Sequence, residues 1–199
     1  IFNIMVQIFE KYNNIFFFLL GGVSMSALAV FCKNKGVNVC GSDNSNSEII
    51  LGLKKKGIKV YSKHKGRNII GCNLVVFSGA ISQDNPELVE AYNQNIPTME
   101  RSEFLGKICE GYKNVIAVAG THGKTTTTSM IAHIFMVAGL NPTVHIGGYQ
   151  SQIGGNLHIG SNEYFITEAC EFRDSFLQLK PTVSVITNIE FEHVDYFGS

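Results

Sequence analysis

A glycine-rich string, Gly120-Thr-His-Gly-Lys-Thr125, follows an apolar run at 115–119 and leads into a helical pattern. A helix start offers backbone N–H groups and the positive end of the helix dipole, and glycines let the backbone approach an anion closely. Lys124 can neutralise phosphate oxygens, and the Thr125 hydroxyl can bind Mg²⁺. The string therefore predicts a phosphate loop. Position 118 is Val118 rather than the first glycine of G-x-x-x-x-G-K-[ST], and a plain glycine turn with an exposed lysine is the alternative.

Acidic residues follow two later apolar runs. Glu168 comes directly after the run at 164–167, with Glu171 close by as possible support. The carboxyl ends of parallel strands face the ligand crevice, so Glu168 is predicted to hold Mg²⁺ against ATP. A second group of acids with one histidine follows the run at 183–187 and suits a second cation site; it consists of Asn188, Glu190, Glu192, His193 and Asp195. A solvated acidic loop explains both groups equally well.

An earlier glycine turn, Leu20-Gly-Gly-Val-Ser-Met-Ser26, joins a predicted strand at Phe16–Leu20 to a predicted helix with Ser24 as its N-cap. Rossmann-like folds hold a pyrophosphate at this position, and Asp43 lies about 20 residues further on, where an acid often meets a ribose or base. Taken alone, the pattern is a weak relative of G-x-G-x-x-G. A tight structural turn fits it too.

Apolar runs alternate with helical patterns along the whole chain, which predicts an α/β fold with parallel sheets. We expect an unassigned extension at 1–14, a Rossmann-like domain at 15–111, and an incomplete P-loop-type α/β domain at 112–199. The helix after the phosphate loop carries two apolar repeats, Met130–Ile134–Ala138 and Ile131–Phe135, and is expected to bury this face.

Composition narrows the classes of function. The 199 residues hold 16 Lys+Arg and 16 Asp+Glu, so nothing indicates nucleic-acid or acidic-membrane binding. The five cysteines lie at no CxxC spacing and are expected to be small buried thiols in a reducing compartment. The apolar segment 15–32 is interrupted by glycines and serines, which favours a buried strand and helix over a membrane span. Ile1 at the start and Ser199 just after a motif indicate a fragment.

From about Phe16 to Phe197 the chain resembles the Mur ligases. The matching strings are GGVSMSALA (21–29), GSD (41–43), AISQDNPELVEA (80–91), IPTMERSEFLGKI (96–108), AVAGTHGKTTTTSMIA (117–132), the double glycine 147–148, ITEACEFRDSFL (166–177) and TNIEFEHVDYF (187–197). His122 in the phosphate loop and the EACE string favour the member of the family that adds L-alanine. The alternatives are a sister ligase that attaches a peptide to the same sugar and a non-catalytic nucleotide-binding fragment.

The resemblance implies a three-domain cytoplasmic enzyme of peptidoglycan precursor synthesis. Its first domain binds UDP-N-acetylmuramate, its central domain binds ATP and Mg²⁺, and its third domain is absent from this chain. ATP phosphorylates the sugar carboxylate to an acyl phosphate, which the amine of L-alanine attacks through a tetrahedral intermediate, expelling phosphate. No nucleic acid or membrane takes part.

Carried over by position, Lys124, Glu168 and His193 are the expected catalytic residues, and Thr125, Glu168 and His193 the metal-binding ones. The residues expected to bind ATP are Gly120, Thr121, His122, Gly123, Lys124, Thr125 and Thr126. Those expected to bind the UDP-sugar are Gly21, Gly22, Ser24, Met25, Ser26, Asp43, His122 and Asn188. Leu19 replaces a family glycine and Gly79 a small polar residue, so the departures from the family pattern concern the UDP-sugar site and not the ATP site.

Overall fold

The computed structural model describes residues 2–191, except for the side chains at 2–6, 172 and 173. The chain forms two compact units that divide between Phe104 and Leu105, with residues 2–5 grouped with the second unit. The elements up to this division are α1 (Phe2–Lys11), β1 (Asn14–Phe18), α2 (Val23–Asn34), β2 (Asn38–Ser42), α3 (Glu48–Lys55), β3 (Lys59–Tyr61), β4 (Leu74–Phe77), α4 (Pro86–Asn93) and β5 (Thr98–Glu100), with a 3-10 turn at Gly66–Ile69. Helix α5 (Arg101–Cys109) contains the division.

The first unit is built on a parallel sheet with strand order β3-β2-β1-β4-β5. This order follows the 3-2-1-4-5 part of the Rossmann strand order, which agrees with the Rossmann-like fold predicted from the sequence. Strand β1 is central, and its residues Ile15 to Phe18 have no exposed surface. A parallel strand covered on both faces by helices reads as a continuous apolar run, which explains the uncharged segment at the start of the chain. No helix among residues 2–191 is both long and apolar enough to cross a bilayer.

The second unit contains β6 (Asn114–Ala119), α6 (Lys124–Val137), β7 (Thr143–Gln150), β8 (Gly155–His158), β9 (Tyr164–Glu168) and β10 (Val183–Ile186), with 3-10 turns at Ser151–Ile153 and Phe172–Gln178. The sheet order is β10-β6-β9-β7-β8, and all pairs are parallel except β7–β8. The sequence predicted the parallel strands but not β8. This strand turns back through Gly154 and Gly155, both at positive φ, and its short glycine-rich run carries little apolar signal.

The prediction that Ser24 caps α2 is wrong. Gly22 is the N-cap, and Ser24 lies in the first helical turn. The turn before the helix is tighter than expected, because the Gly22 N–H donates to the Leu19 carbonyl at 3.0 Å. The helix therefore starts at Val23.

The face that α6 buries includes only one of the two predicted apolar repeats. Met130 and Ile134 are 55% and 63% exposed, whereas Thr128 and Ala132 are fully buried. Of the two apolar repeats, only the one through Ile131 and Phe135 packs against the core, together with Ala132. The helix has two apolar stripes, and spacing along the sequence does not tell which one faces the sheet.

Candidate functional site

The phosphate loop, Gly120–Thr125, joins β6 to α6 at the carboxyl edge of the second sheet. Gly120 has φ +134°, and a Cβ there would lie 2.1 Å from the Thr187 hydroxyl, so only glycine fits. Gly123 is the N-cap of α6 in the left-handed region, with open space beside its Cα. No acidic residue lies in the first turn of this 14-residue helix. An anion can therefore approach the positive helix end directly.

The Lys124 side chain folds back over the loop. Its ammonium lies 2.5 Å from the Gly120 carbonyl and 3.2 Å from the Thr121 carbonyl. It also forms an ion pair with Glu171 at 3.0 Å, and both side chains are largely shielded from water. The sequence had suggested Glu171 as support for Glu168, but in the structure Glu171 holds Lys124. A fixed positive charge thus stands over the loop.

Thr187 and Asn188, which directly follow β10, form hydrogen bonds to the backbone of the phosphate loop. The Asn188 amide accepts a hydrogen bond from the His122 N–H at 2.9 Å and donates one to the His122 carbonyl at 3.0 Å. The Thr187 hydroxyl lies 2.6 Å from the same carbonyl. Asn188 was expected near the sugar carboxylate. In the structure both polar atoms of its side-chain amide are hydrogen-bonded to the backbone of His122. Thr187 was missed, although its position at the end of a strand beside β6 could have pointed to it.

The segment after Asn188 continues along the loop. The Thr121 hydroxyl accepts a hydrogen bond from the Glu190 N–H at 2.9 Å. The His122 imidazole lies 3.7 Å from the Glu190 carboxylate, with both side chains well exposed. The predicted metal ligand His193 lies outside the described residues, as do Glu192 and Asp195.

Glu168 ends β9 and lies opposite Val118 of β6. One of its oxygens accepts the Gly147 N–H at 2.9 Å, and a Cβ at Gly147 would lie 3.0 Å from the other. A Cβ at Gly148 would lie 3.7 Å from the Thr125 methyl group. The double glycine of β7 therefore lies against both Glu168 and Thr125. Sequence reasoning noted these glycines but assigned them no role at the site.

A carboxylate and a hydroxyl at one sheet edge form a donor set that suits Mg²⁺, which commonly takes one or two protein ligands and completes its shell with water and phosphate oxygens. Among the described residues, no group of three or more His, Cys, Asp or Glu side chains is placed to hold a metal alone. Thr125 and Glu168 supply oxygen donors of the kind that Mg²⁺ takes, with the rest of its shell left to other groups. They do not form a closed protein cage.

The first loop, Leu19–Gly22, connects β1 to α2 at the carboxyl edge of the first sheet. Leu19 adopts φ +51°, a left-handed conformation that is costly for a leucine. The Gly21 N–H donates to one Asp43 oxygen at 2.7 Å, and the Ser45 N–H donates to the other at 2.7 Å. A Cβ at Gly21 would lie 2.8 Å from the Asp43 carboxylate. Asp43, expected to meet a ribose or base, is therefore bound to the loop itself.

Asp43 is 8% exposed, and burial acts to raise the pKa of its carboxyl. The hydrogen bonds from Ser45 and Gly21 outweigh burial and hold this pKa below its ordinary value. The carboxylate thus stays ionised and acts as a fixed acceptor for the loop.

The remaining predicted sugar-nucleotide residues lie in the first turn of α2. Met25 is buried, and the Ser26 hydroxyl donates to the Val23 carbonyl at 2.8 Å. The Arg101 guanidinium lies 3.4 Å from the Ser24 hydroxyl, a neighbour that sequence reasoning did not identify. Gly79, one of the two departures from the family pattern, lies in the turn after β4.

A buried carboxylate supports the end of β2. Glu87, in the first turn of α4, has no exposed surface and accepts hydrogen bonds from Ser42 at 2.7 Å and Asn68 at 2.6 Å. His64 also contacts it, at 2.8 Å. Ser42 directly precedes Asp43, so this network fixes the strand end that carries the loop acceptor. Nothing in the sequence distinguished Glu87 from a surface acid at a helix start.

Residues 14–113 match the Mur ligase family, catalytic domain, and residues 118–199 match the Mur ligase middle domain. The chain belongs to the Mur ligase family. Mur ligases are ATP-dependent ligases, and the resemblance inferred from the sequence strings is thereby confirmed.

Several Mur ligases of known identity are similar to the chain. The UDP-N-acetylmuramate–L-alanine ligase of Acetivibrio thermocellus is 50% identical over 188 residues, which are 94% of this chain and 40% of that protein. The protein of the same name from Caldicellulosiruptor saccharolyticus is 52% identical over 185 residues, 93% of this chain and 41% of that protein. The chain thus spans about two fifths of the length of these relatives.

Solved Mur ligase structures share the fold. The crystal structure of UDP-N-acetylmuramate-alanine ligase from Thermotoga maritima superposes with a TM-score of 0.87 at 33% identity, covering 94% of this chain and 44% of that one. A UDP-N-acetylmuramate:L-alanyl-gamma-D-glutamyl-meso-diaminopimelate ligase from Neisseria meningitides gives a TM-score of 0.83 at 29% identity, covering 94% of this chain and 64% of that one. The predicted α/β class is confirmed by these neighbours.

Proposed function

We propose that this chain is the amino-terminal and central part of a ligase that joins L-alanine to UDP-N-acetylmuramate with hydrolysis of ATP, in the cytoplasmic synthesis of peptidoglycan precursors. The observation that carries the proposal is the phosphate loop, in which Lys124 stands over a glycine backbone at the start of α6. About 50% identity to ligases of that activity supports the choice of substrates.

The residues of 112–199 would hold the nucleotide and metal. The loop N–H groups from Gly120 to Thr126 would bind the ATP phosphates, and Lys124 would release Glu171 to neutralise the transferred phosphoryl group. Thr125 and Glu168 would hold Mg²⁺, and His193 a second ion. When bound, ATP supplies the phosphoryl group that makes the sugar carboxylate reactive.

The residues of 15–111 would hold the sugar nucleotide. The start of α2, from Gly22 to Ser26, would face the diphosphate, because a helix start with no acidic residue in its first turn favours an anion. The Gly21 N–H is already bonded to the Asp43 carboxylate, so Gly21 would shape the loop. Asp43 would contribute by fixing the Gly21 backbone. His122 and Asn188 are proposed to lie near the carboxylate of the muramyl group.

The chemistry needs activation because a carboxylate is a poor electrophile. In the proposed reaction the sugar carboxylate attacks the γ-phosphorus and ADP leaves, giving an acyl phosphate. The amine of L-alanine then attacks the acyl carbon, phosphate departs, and the amine loses a proton. Lys124 would lower the barrier to the first step by offsetting the repulsion between two anions, an effect worth roughly a hundredfold or more in rate.

L-alanine-dependent phosphate release by the full-length gene product tests this proposal. Lys124→Ala should lower turnover by roughly a hundredfold or more. Lys113→Ala is the matched control, because this lysine is 63% exposed and pairs with Glu163 on the surface; it should leave turnover unchanged. Equal turnover in both variants would refute the role of the phosphate loop.

The choice of acceptor separates the proposal from its nearest alternative. The structural neighbour from Neisseria meningitides carries a peptide in the name of its reaction. Phosphate release that depends on L-alanyl-gamma-D-glutamyl-meso-diaminopimelate and not on L-alanine would assign the chain to that activity instead.

Calorimetry on the 199-residue chain tests the sugar-nucleotide half separately. UDP-N-acetylmuramate should bind, whereas UDP-N-acetylglucosamine, which lacks the lactyl carboxylate, should bind more weakly. A folded chain that binds neither sugar would contradict the proposed role of residues 21–26.

A further inference from the structure

Two of the five cysteines lie side by side in the first unit. The sulfur atoms of Cys40 and Cys72 are 3.7 Å apart. Cys40 belongs to β2, and Cys72 lies just before β4, so the pair reaches across the central strand β1. All five cysteines are free thiols in the structure. The contact was not expected from the sequence, in which the two residues are 32 positions apart.

Cys40 and Cys72 are accessible to a small oxidant and lie close enough to react with each other. Cys40 and Cys72 are each partly exposed, whereas Cys32 and Cys109 are buried. Both members of the pair pack against the apolar cluster that contains Phe16. A disulfide needs a sulfur separation of about 2.05 Å, so the two atoms would have to close less than about 2 Å. Because β1 lies between β2 and β4, this closure requires the backbone around Cys72 to move as well as the two side chains to rotate.

We propose that Cys40 and Cys72 form a site of reversible thiol oxidation, which closes to an intramolecular disulfide when the protein meets a peroxide. In the first step the thiolate of one cysteine attacks a peroxide oxygen, giving a sulfenic acid and releasing water or an alcohol. The second cysteine then attacks the sulfenic sulfur and a second water leaves. The two thiols together lose two electrons and two protons, which the peroxide accepts. A small dithiol reverses the step by exchange.

Contact between the two sulfur atoms distinguishes this pair from the buried cysteines. Either sulfur can be the hydrogen donor, so either cysteine can react first while the other resolves it. Burial raises the pKa of Cys32 and of Cys109, which makes those two thiols poor nucleophiles.

The link would fasten β2 to the segment before β4. It closes a chain segment of 32 positions and so removes freedom from the unfolded chain. Cys40 also lies two residues before Ser42, so the link would sit beside the network around Glu87. We expect the oxidised chain to unfold at a temperature higher by about 10 °C. This inference does not depend on the proposed ligase function.

The test is peptide mapping of the 199-residue chain after brief treatment with a small excess of hydrogen peroxide. Digestion without reduction should yield one new species in which the peptides of Cys40 and Cys72 are joined, and dithiothreitol should abolish it. Cys32 and Cys109 should remain unmodified. The proposal fails if Cys40 and Cys72 are recovered as free thiols, or as separately oxidised residues, under conditions that oxidise Cys170.

Three variants sharpen the result. In Cys40→Ser, the linked species should vanish and a sulfenic acid on Cys72 should be trapped by dimedone. In Cys72→Ser, the linked species should likewise vanish, and a sulfenic acid on Cys40 should be trapped in the same way. Cys170→Ser is the matched control, because it removes another partly exposed cysteine and should leave the yield of linked peptide within about twofold of the original. If either serine variant does not fold, the map of the unsubstituted chain still decides the question.

Discussion

The two strand-to-helix loops of this chain, the first loop and the phosphate loop, are held in place in the same way but by different residues. In each case, a side chain at the end of the neighbouring parallel strand holds the loop backbone. Asp43, after β2, binds the first loop through the Gly21 N–H. Asn188, after β10, binds the phosphate loop through His122. The first loop is held by a charge and the second by a neutral amide.

The loops also differ in which residues take left-handed backbone conformations. In the phosphate loop the residues with positive φ are Gly120 and Gly123, whereas in the first loop Leu19 has a positive φ. Glycine adopts such angles without a steric cost, but a leucine loses about 1–2 kcal/mol. The comparison indicates that the phosphate loop is built without strain, whereas the first loop depends on the bonds of Asp43 to stay in place.

Adding a methyl group to the phosphate loop should have the largest effect. Gly120→Ala would place a Cβ 2.1 Å from the Thr187 hydroxyl at φ +134°. We expect a loss of about 3 kcal/mol or more in the free energy of unfolding, measured by urea unfolding with hydrogen exchange of the 114–140 segment. Gly139→Ala is the control, because its φ is +72° but its Cβ would meet nothing within 4 Å; it should cost about 1 kcal/mol. Equal losses would mean that Thr187 does not constrain the loop.

Removing the charge that holds the first loop should have the next largest effect. Asp43→Asn should cost about 2 kcal/mol near neutral pH, since hydrogen bonds to an ionised group contribute about 1.5–3 kcal/mol. The folded pKa of Asp43 is lowered, so its contribution to stability is complete above the ordinary carboxyl pKa and is lost as pH falls through the folded value. The difference between the chain and the variant should therefore shrink in acid. Asp84→Asn, at an exposed carboxylate, should show neither effect.

Removing the amide that holds the phosphate loop should cost less. Asn188→Ala deletes two neutral hydrogen bonds to His122, worth about 1 kcal/mol each, in a partly exposed setting. We expect a loss of about 1–1.5 kcal/mol and faster exchange of the His122 amide. Asn162→Ala is the comparison, because Asn162 is bonded through its backbone carbonyl to Lys113. If His122 exchanges at the same rate in both variants, the loop is held by other groups.

The smallest effect concerns the backbone of Leu19. Leu19→Gly and Leu19→Ala both remove the contact of this side chain with the core, but only glycine relieves the conformation at φ +51°. The glycine variant should therefore be more stable than the alanine variant by about 1 kcal/mol in urea unfolding. The reverse order would mean that Leu19 bears no strain and that the first loop is as relaxed as the second.

The sequence predicted the features that arise from neighbouring residues. A strand, a glycine turn and a lysine at a helix start lie within ten residues of one another, so the phosphate loop could be located without a structure. The start of α4 has the same local character, because Asn85 caps the helix and Pro86 occupies its first position. For Leu19 the sequence showed only that it replaces a family glycine; its positive φ was not predicted.

Features that depend on strand order could not be predicted. Thr187 and Asn188 reach the phosphate loop because β10 lies beside β6, although about 65 residues separate them in sequence. Glu87 contacts Ser42 for the same kind of reason. The buried face of α6 also depends on which side the sheet occupies. The spacing of apolar residues along a helix shows which residues share a face, but the fold determines which face packs against the sheet.

The bond between Gly21 and Asp43 also gives the first loop a built-in reporter. An amide proton whose nitrogen lies 2.7 Å from an ionised carboxylate oxygen resonates downfield and exchanges slowly with water. The Gly21 resonance in a nitrogen–proton correlation spectrum would thus record, from a single peak, whether the loop is closed, how it titrates in acid, and whether a bound anion alters it.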